Sequence, residues 1–296
     1  MKINELLYES INELKENNVK DARLQAKALM AYILKQDEQF LIVHGQDELV
    51  LEKQEEYKRC IHRIIEGIPL QYITNVQEFM KLNFYVDENV LIPQPDTEIL
   101  VEEVINNCGC NIDDSFGKDQ VRNTIRNIEI LDLCTGSGAI GISLAKYMKN
   151  SKVTCTDISM KALQIAKLNA EKNLVHKNMK FILSDLFENL EKRRFDIIVS
   201  NPPYIKTEVI NRLEKSVQNE PYLALDGGKD GLEFYKIIAK EAYKFLNPKG
   251  KIYLEIGYDQ KEEVIKLLDS TNKYEDIVCK QDLAGNDRVV IAKKLF

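Results

Sequence analysis

The chain has 296 residues, 44% of them hydrophobic and 30% charged, enough for one large domain and a smaller one with a sizeable core. No run nears the ~18 uncharged apolar residues of a membrane helix, and Met1-Lys2-Ile3-Asn4-Glu5 is acidic where a secretion signal turns apolar, so a cytoplasmic protein without a membrane partner is expected. A formal charge of −6 with a pI near 5.4 weighs against stable binding to nucleic acid, which draws its affinity from neutralised phosphates. A protein substrate fits this balance better.

Residues 1–66 read as helical. Ile3, Leu6, Leu7, Ile11 and Leu14 recur at helical spacing, and Asp21 is placed to cap a second helix carrying Leu24, Ala28, Leu29, Ile33 and Leu34. A third pattern runs from about Glu52 to Glu66 and is stopped by Gly67 and Pro69. An all-helical domain over residues 1–74 follows, then a linker over 75–95. Within the linker, alternation from Phe79 to Val86 predicts a strand or hairpin. A helix over 96–106 opens after Pro95, and the polar, aperiodic stretch Cys108–Asn127 reads as a surface insertion.

From there strands and helices alternate over the remainder of a domain spanning 96–296. Strand-like runs cover Ile128–Cys134, Lys152–Asp157, Met179–Ser184, Phe195–Ser200 and Lys251–Ile256, with helices around 138–149, 159–173 and 230–246. Such alternation predicts a doubly wound, mostly parallel α/β sheet. Tyr274–Leu283 and Arg288–Lys293 are strand-like and joined by Ala284-Gly285-Asn286-Asp287, so the sheet closes on an antiparallel hairpin. The six cysteines are scattered. Cys108-Gly109-Cys110 lacks the second pair that a zinc site needs, and His44, His62 and His176 stand alone. Reduced thiols and no metal are expected.

Two constellations carry chemistry. The first strand runs into Cys134-Thr135-Gly136-Ser137-Gly138, where glycines let the backbone turn tightly and approach a ligand before a helix start. With Gly141 this run matches the dinucleotide fingerprint, a weak signal alone. Asp157 ends the next strand 21 residues after Gly136. It can accept both hydroxyls of a ribose, or it can cap the helix that follows. Asp185 can meet an adenine amino group, with Leu186 and Phe187 as apolar walls, or it too can be a local structural residue.

The second constellation is Asn201-Pro202-Pro203-Tyr204, delivered to a strand's carboxyl end, where ligands sit in open α/β sheets. Two prolines stiffen the turn and expose carbonyls. An amide nitrogen is a poor nucleophile because its lone pair is delocalised. The Asn201 side-chain oxygen and the Pro202 carbonyl can accept both amide hydrogens, aim the nitrogen and stabilise charge that develops in transfer. Pro203 is the second proline of that stiff turn, and Tyr204 offers a flat ring to stack on the planar group. Asn201, Pro202 and Tyr204 are the expected catalytic residues, and the bland alternative is a rigid turn.

These residues make the chain resemble the protein-glutamine N5-methyltransferases that act on peptide chain release factors. The resemblance also runs through Pro69-Leu70-Gln71-Tyr72-Ile73, Leu91-Ile92-Pro93-Gln94-Pro95-Asp96-Thr97-Glu98 and Glu220-Pro221-Tyr222-Leu223-Ala224-Leu225 with Gly227-Gly228. It continues in Glu255-Ile256-Gly257 with Gln260 and closes on Gly285-Asn286-Asp287-Arg288-Val289. Leu91–Glu98 is the most telling segment, because Asn-Pro-Pro-Tyr also occurs in enzymes similar to DNA adenine and rRNA guanine methyltransferases. The resemblance implies a seven-stranded methyltransferase domain behind a helical substrate-recognition domain. It implies S-adenosylmethionine as methyl donor, S-adenosylhomocysteine as product, and the glutamine of a release factor's Gly-Gly-Gln loop as acceptor. Cys134, Thr135, Gly136, Ser137, Gly138, Asp157, Asp185, Leu186 and Asn201 would contact the cofactor, and Asn201–Tyr204 would hold the glutamine. Two positions depart from the pattern: Gln94 stands where Arg is frequent, and Leu186 where an aromatic is common. The alternatives are a ribosomal-protein glutamine or an exocyclic base nitrogen as acceptor, and, from another class, a nucleotide-binding module without catalysis.

Overall fold

Apolar residues spaced three and four apart draw the first 76 residues into a helical unit. A computed structural model describes residues 1–109 and 127–295; most of the expected insertion at 108–127 lies outside the described residues. One unit comprises Met1–Val76 with Leu213–Asn219, and the other Gln77–Arg212 with Glu220–Phe296. The helical unit holds α1 (Ile3–Glu16), α2 (Ala22–Leu34), α3 (Glu38–Val43), α4 (Leu51–Ile65) and α5 (Leu70–Thr74). Glu5 reaches back to the Lys2 amide (3.0 Å) to close the first turn of α1. Leu6 and Leu14 of α1, Ala26, Leu29 and Met30 of α2, and Tyr57 and Ile61 of α4 are buried together. The Tyr57 hydroxyl donates to the Ala26 carbonyl at 3.0 Å, so the largest buried ring in this core also satisfies its one polar atom.

Asp21 corrects one expectation. It occupies the N-cap position of α2, but its backbone is left-handed (φ 51°) and its side chain makes no capping bond. Ser, Asp and Asn cap from extended backbone, and the left-handed turn aims this carboxylate elsewhere. Gly67 does end α4 as expected, at φ 96°.

The second unit opens with the hairpin β1 (Gln77–Phe79) and β2 (Leu82–Phe84). The alternating run from Phe79 is therefore cut by a turn rather than continuous. Met80 and Lys81 are both left-handed (φ 50° and 58°), the twist a two-residue hairpin turn favours. Glu98 accepts from the Met80 amide (2.6 Å) and Tyr147 donates to its carbonyl (2.5 Å), which fixes the turn without a glycine.

Among the described residues the main sheet has seven strands: β3 (Ile128–Leu133), β4 (Ser151–Asp157), β5 (Met179–Leu183), β6 (Phe195–Ser200), β7 (Leu246–Glu255), β8 (Tyr274–Gln281) and β9 (Asp287–Lys294). Their order is β5-β4-β3-β6-β7-β9-β8, parallel through β7 and antiparallel at β9 and β8, as the sequence predicts. The helices are α6 (Glu98–Asn107), α7 (Ala139–Tyr147), α8 (Met160–Lys172), α9 (Thr207–Ile210), α10 (Lys215–Gln218, in the helical unit), α11 (Tyr222–Leu225), α12 (Glu233–Glu241) and α13 (Lys261–Ser270). Ile130, Leu131, Leu133, Ile198, Val199, Ile252 and Leu254 are buried, the continuous apolar signature of strands covered on both faces.

The helix predicted over 230–246 is shorter than expected. α12 ends at Glu241, one tight turn follows, and β7 begins at Leu246. Phe195 pairs with Leu246 before a bulge around Pro248 and Gly250, and regular pairing resumes at Ile197–Lys251, so the predicted strand is the regular part of a longer one. Among the described residues, no helix is long and apolar enough to cross a membrane.

The Tyr57 contact sets a stability expectation for the helical unit. Tyr57→Ala should cost about 3–5 kcal/mol by cavity formation, whereas Tyr57→Phe should cost about 1 kcal/mol for the lost hydrogen bond. Urea unfolding followed by circular dichroism measures both.

Candidate active site

Sheet register decides which residues meet. Leu133 pairs with Thr156 across β3 and β4, and Asp157 pairs with Leu183 across β4 and β5. On the other side Leu133 pairs with Ser200, and Ser200 with Leu254. The residues at or within two positions of these pairs therefore stand along the carboxyl edge: Asp185, Asp157, Cys134, Asn201 and Glu255. The β3/β6 step is where strand order reverses, the crevice at which open α/β sheets bind ligands.

On the β3 side the chain turns through Cys134 (φ 57°), Gly136 (φ 53°) and Gly138 (φ 84°). Among the described residues nothing lies within 4 Å of where a Gly136 side chain would begin, leaving the backbone approachable. Gly138 is tight: a side chain there would meet Ile142 at 2.8 Å and the Ala166 backbone at 3.3 Å. Asp157 Oδ2 accepts from the Gly136 amide (2.9 Å) and Oδ1 from Ser159 (2.8 Å). The cap of α8 is Ser159, whose hydroxyl accepts from Ala162, so Asp157 braces the glycine loop instead. Burial raises the Asp157 carboxyl above its ordinary range despite these amides, and each oxygen keeps a second lone pair.

Gly141 has a different task from its two neighbours. A side chain there would lie 2.8 Å from both Asp132 Oδ2 and Cys155 Sγ, so it lets α7 close on the sheet. Asp132 Oδ2 accepts from Thr135 Oγ1 (2.5 Å) and the Gly141 amide (3.0 Å). The Thr135 hydroxyl is thus committed to Asp132, and its amide to the Thr156 carbonyl (2.9 Å). Ser137 is buried and its carbonyl accepts from Asn169 (2.9 Å). Asn169 also exchanges two bonds with the Tyr85 backbone (2.7 and 3.0 Å). Burial raises the Cys134 thiol, which leaves it protonated and inert. Asp185 is exposed at the edge, Leu186 is buried at φ 42°, and Phe187 stacks on Phe245 (4.9 Å) within the core.

On the β6 side Pro202 and Pro203 are buried and Asn201 and Tyr204 half-buried. Ser200 donates to the Leu133 carbonyl (2.9 Å). Arg288 faces the Tyr204 hydroxyl, and the Tyr204 carbonyl accepts from Gln260 (3.0 Å). Side chains at Gly227 or Gly231 would strike the Tyr204 backbone at 2.7 and 2.5 Å. The turn is thus clamped on both faces. Asn201 Nδ2 donates to Thr97 Oγ1 (3.3 Å), and both side chains face the Glu255 carboxyl and favour its charged form. Arg288 bridges Asp282 (2.9 Å) and Asp96 (3.1 Å), while Glu220 accepts from the Ile92 amide (2.9 Å). The Leu91–Glu98 segment therefore forms a wall of the site. Gln94 is exposed and donates to the Ile92 carbonyl (3.0 Å). Asp132, Asn169 and the contacts of Glu255 escaped the sequence reading.

Comparison with known proteins agrees with this geometry. A family model for the methyltransferase small domain matches residues 119–220, and one for the PrmC N-terminal domain matches residues 5–74. The chain is 39% identical over 297 residues to the release factor glutamine methyltransferase of Clostridium botulinum, covering 99% of this chain and 100% of that one. The chain belongs to the release factor glutamine methyltransferase family. Another member, from Clostridium acetobutylicum, is 39% identical over 295 residues, covering 99% and 98% of the two chains. A solved methyltransferase from Pyrococcus furiosus superposes with a TM-score of 0.50 at 21% identity, over 79% of this chain and 96% of that one; it shares the fold.

Three buried carboxyls in this family site, Asp132, Glu220 and Glu255, are each pushed up to about 7, chiefly by burial. Between the ordinary carboxylate range and pH 7 the folded chain keeps protons that the unfolded chain releases, so stability falls as pH rises through that window. The melting temperature should be lower at pH 8 than at pH 5.5, and Asp132→Asn should flatten part of that slope in calorimetry.

Proposed function

We propose that this chain transfers a methyl group from S-adenosylmethionine to the side-chain amide nitrogen (N5) of the glutamine in the Gly-Gly-Gln loop of peptide chain release factors. The observation that carries the reading is the β3–β6 pairing, which sets the glycine loop and the Asn201 turn side by side on one sheet edge. The naming of the relatives after release factor glutamine methylation supports the acceptor. When bound, S-adenosylmethionine supplies the methyl, its C–S bond breaking as the N–C bond forms, with one amide proton lost to water and S-adenosylhomocysteine as product.

The residues divide the work. The open backbone at Gly136 and the turn through Cys134–Gly138 cradle the cofactor, with Thr135 and Ser137 as part of that turn, held in shape by their bonds to Asp132, Thr156 and Asn169. Asp157 accepts the ribose hydroxyls, and Asp185 and Leu186 border the adenine. Asn201 Oδ1 and the Pro202 carbonyl accept the two hydrogens of the glutamine amide, Pro203 stiffens the turn, and the Tyr204 ring lies flat against the planar group. Such acceptors bind more tightly as positive charge develops on nitrogen, which lowers the barrier rather than the ground state.

Mass spectrometry of a release factor incubated with the protein and S-adenosylmethionine should show one added methyl on the Gly-Gly-Gln glutamine. Methylation of purified nucleic acid or of a ribosomal protein with the release factor untouched would overturn the reading. Asn201→Ala should lower turnover about 10²–10³-fold while cofactor affinity, read by calorimetry, changes only a few-fold. Asp157→Ala should do the reverse, weakening the cofactor roughly 10-fold or more.

A further inference from the structure

Glu255 closes β7 beside Asn201 and is 2% exposed. A buried carboxyl is costly, and an apolar residue of similar size serves packing better. Its surroundings specify its role. Thr97 and Asp96 face it from the turn before α6, Asn201 and Tyr204 from the β6 turn, Tyr235 from α12, and Arg288 from β9. Among the described residues Oε2 accepts no hydrogen bond. The Tyr235 hydroxyl donates to Glu255's own backbone carbonyl (2.7 Å), fixing the strand end.

An Asn side chain is nearly symmetric in shape, so sterics alone do not decide whether oxygen or nitrogen faces a substrate. For an incoming amide the choice is decisive, because Nδ2 would oppose its hydrogens. A carboxylate accepts only. The Thr97 hydroxyl faces it and favours its charged form; with its proton turned to the carboxylate, Thr97 Oγ1 is left to accept from Asn201 Nδ2, at 3.3 Å. Both partners of Asn201 then require its nitrogen, and Oδ1 is turned outward. We propose that Glu255 is a positioning residue for methyl transfer, its carboxylate fixing the Asn201 amide with Nδ2 inward and Oδ1 toward the substrate nitrogen. This rests on the methyl-transfer reading above. The same charge acts a second time. Positive charge moves from sulfur toward nitrogen during transfer, hence toward Asn201 and the carboxylate behind it, in a site where burial weakens screening.

Burial raises the Glu255 carboxyl to about 7, with Asp96 pushing the same way and Thr97, Arg288 and Asn201 opposing. Protonated, Glu255 can donate, and the directional chain through Thr97 is lost. Turnover should therefore fall on the acid side with a midpoint near 7.

The test measures kcat and KM for a release factor and for S-adenosylmethionine from pH 5.5 to 8.5, on wild type, Glu255→Gln and Thr97→Val. Wild type must first methylate the release factor; failure there overturns the proposed function, not this inference. Glu255→Gln, with near-ultraviolet circular dichroism and cofactor affinity confirming its fold, should lower kcat about tenfold or more. It should leave KM for S-adenosylmethionine within about twofold and abolish the acid limb. Thr97→Val removes a donor from the carboxylate and should shift the limb's midpoint upward. Wild-type turnover with an unchanged limb in Glu255→Gln, or an unmoved midpoint in Thr97→Val, overturns the proposal. If Glu255→Gln does not fold, the Thr97→Val midpoint decides alone.

Discussion

The ladder of hydrogen bonds around β6 is the constraint on which the rest of the site depends. β6 pairs with β3 on one side and β7 on the other, residue for residue from Ile197 to Ser200. A strand's side chains alternate faces, so a one-residue slip would turn each of them over. Here it would also move Asn201 out of line with both the glycine loop and Glu255. The apolar run Ile197-Ile198-Val199 sets that register by burial on both faces, and Ser200 locks it with a bond to the Leu133 carbonyl. A packing requirement in the middle of the sheet thus becomes positional accuracy at its edge.

Accuracy of this kind is costly in stability. Asp132 and Glu255 keep carboxylate oxygens buried without a hydrogen-bond partner among the described residues, and left-handed backbone recurs at Cys134 and Leu186. Burial of acids and strained backbone destabilise a fold and concentrate at functional sites. The surrounding sheet supplies the compensation through its wide apolar core. Gly141, Gly227 and Gly231 belong to the same economy, since each allows an approach that any side chain would block.

Short contiguous signals were the legible ones. The glycine loop, Asp157 and Asn201–Tyr204 each declare themselves within a few residues, and the antiparallel close was visible in Gly285-Asn286. Partnerships across long separations were not. Asn201 and Thr97 lie 104 residues apart, and no local pattern announces that they bond; family resemblance marked both segments without saying that they meet. Asn169 is a polar residue that helical spacing from Ile165 and Ala166 puts on the apolar face of α8. Nothing local says that its partners there are Tyr85 and Ser137, which it ties together while fully buried. Asp21 shows the opposite failure, since a capping residue type at a capping position is defeated by its own backbone. The helix ending at Glu241 ran long on sequence because apolar residues continue at compatible spacing into Leu246, and only the pairing of Phe195 reveals a strand there.

Residues 213–219 leave the methyltransferase sheet between β6 and β7 and belong to the helical unit. There Asn219 bonds the Gly67 carbonyl (2.9 Å) and Glu214 pairs with Lys20. The helical unit is consequently discontinuous in sequence, assembled from two stretches that the chain synthesises some 140 residues apart. Exchanging helical units between relatives by a single crossover near residue 76 would pair one member's helices with another member's α10. A chimera that keeps its native contacts has to carry both stretches together, and during synthesis the helical unit completes itself only after the Asn201 turn has been made.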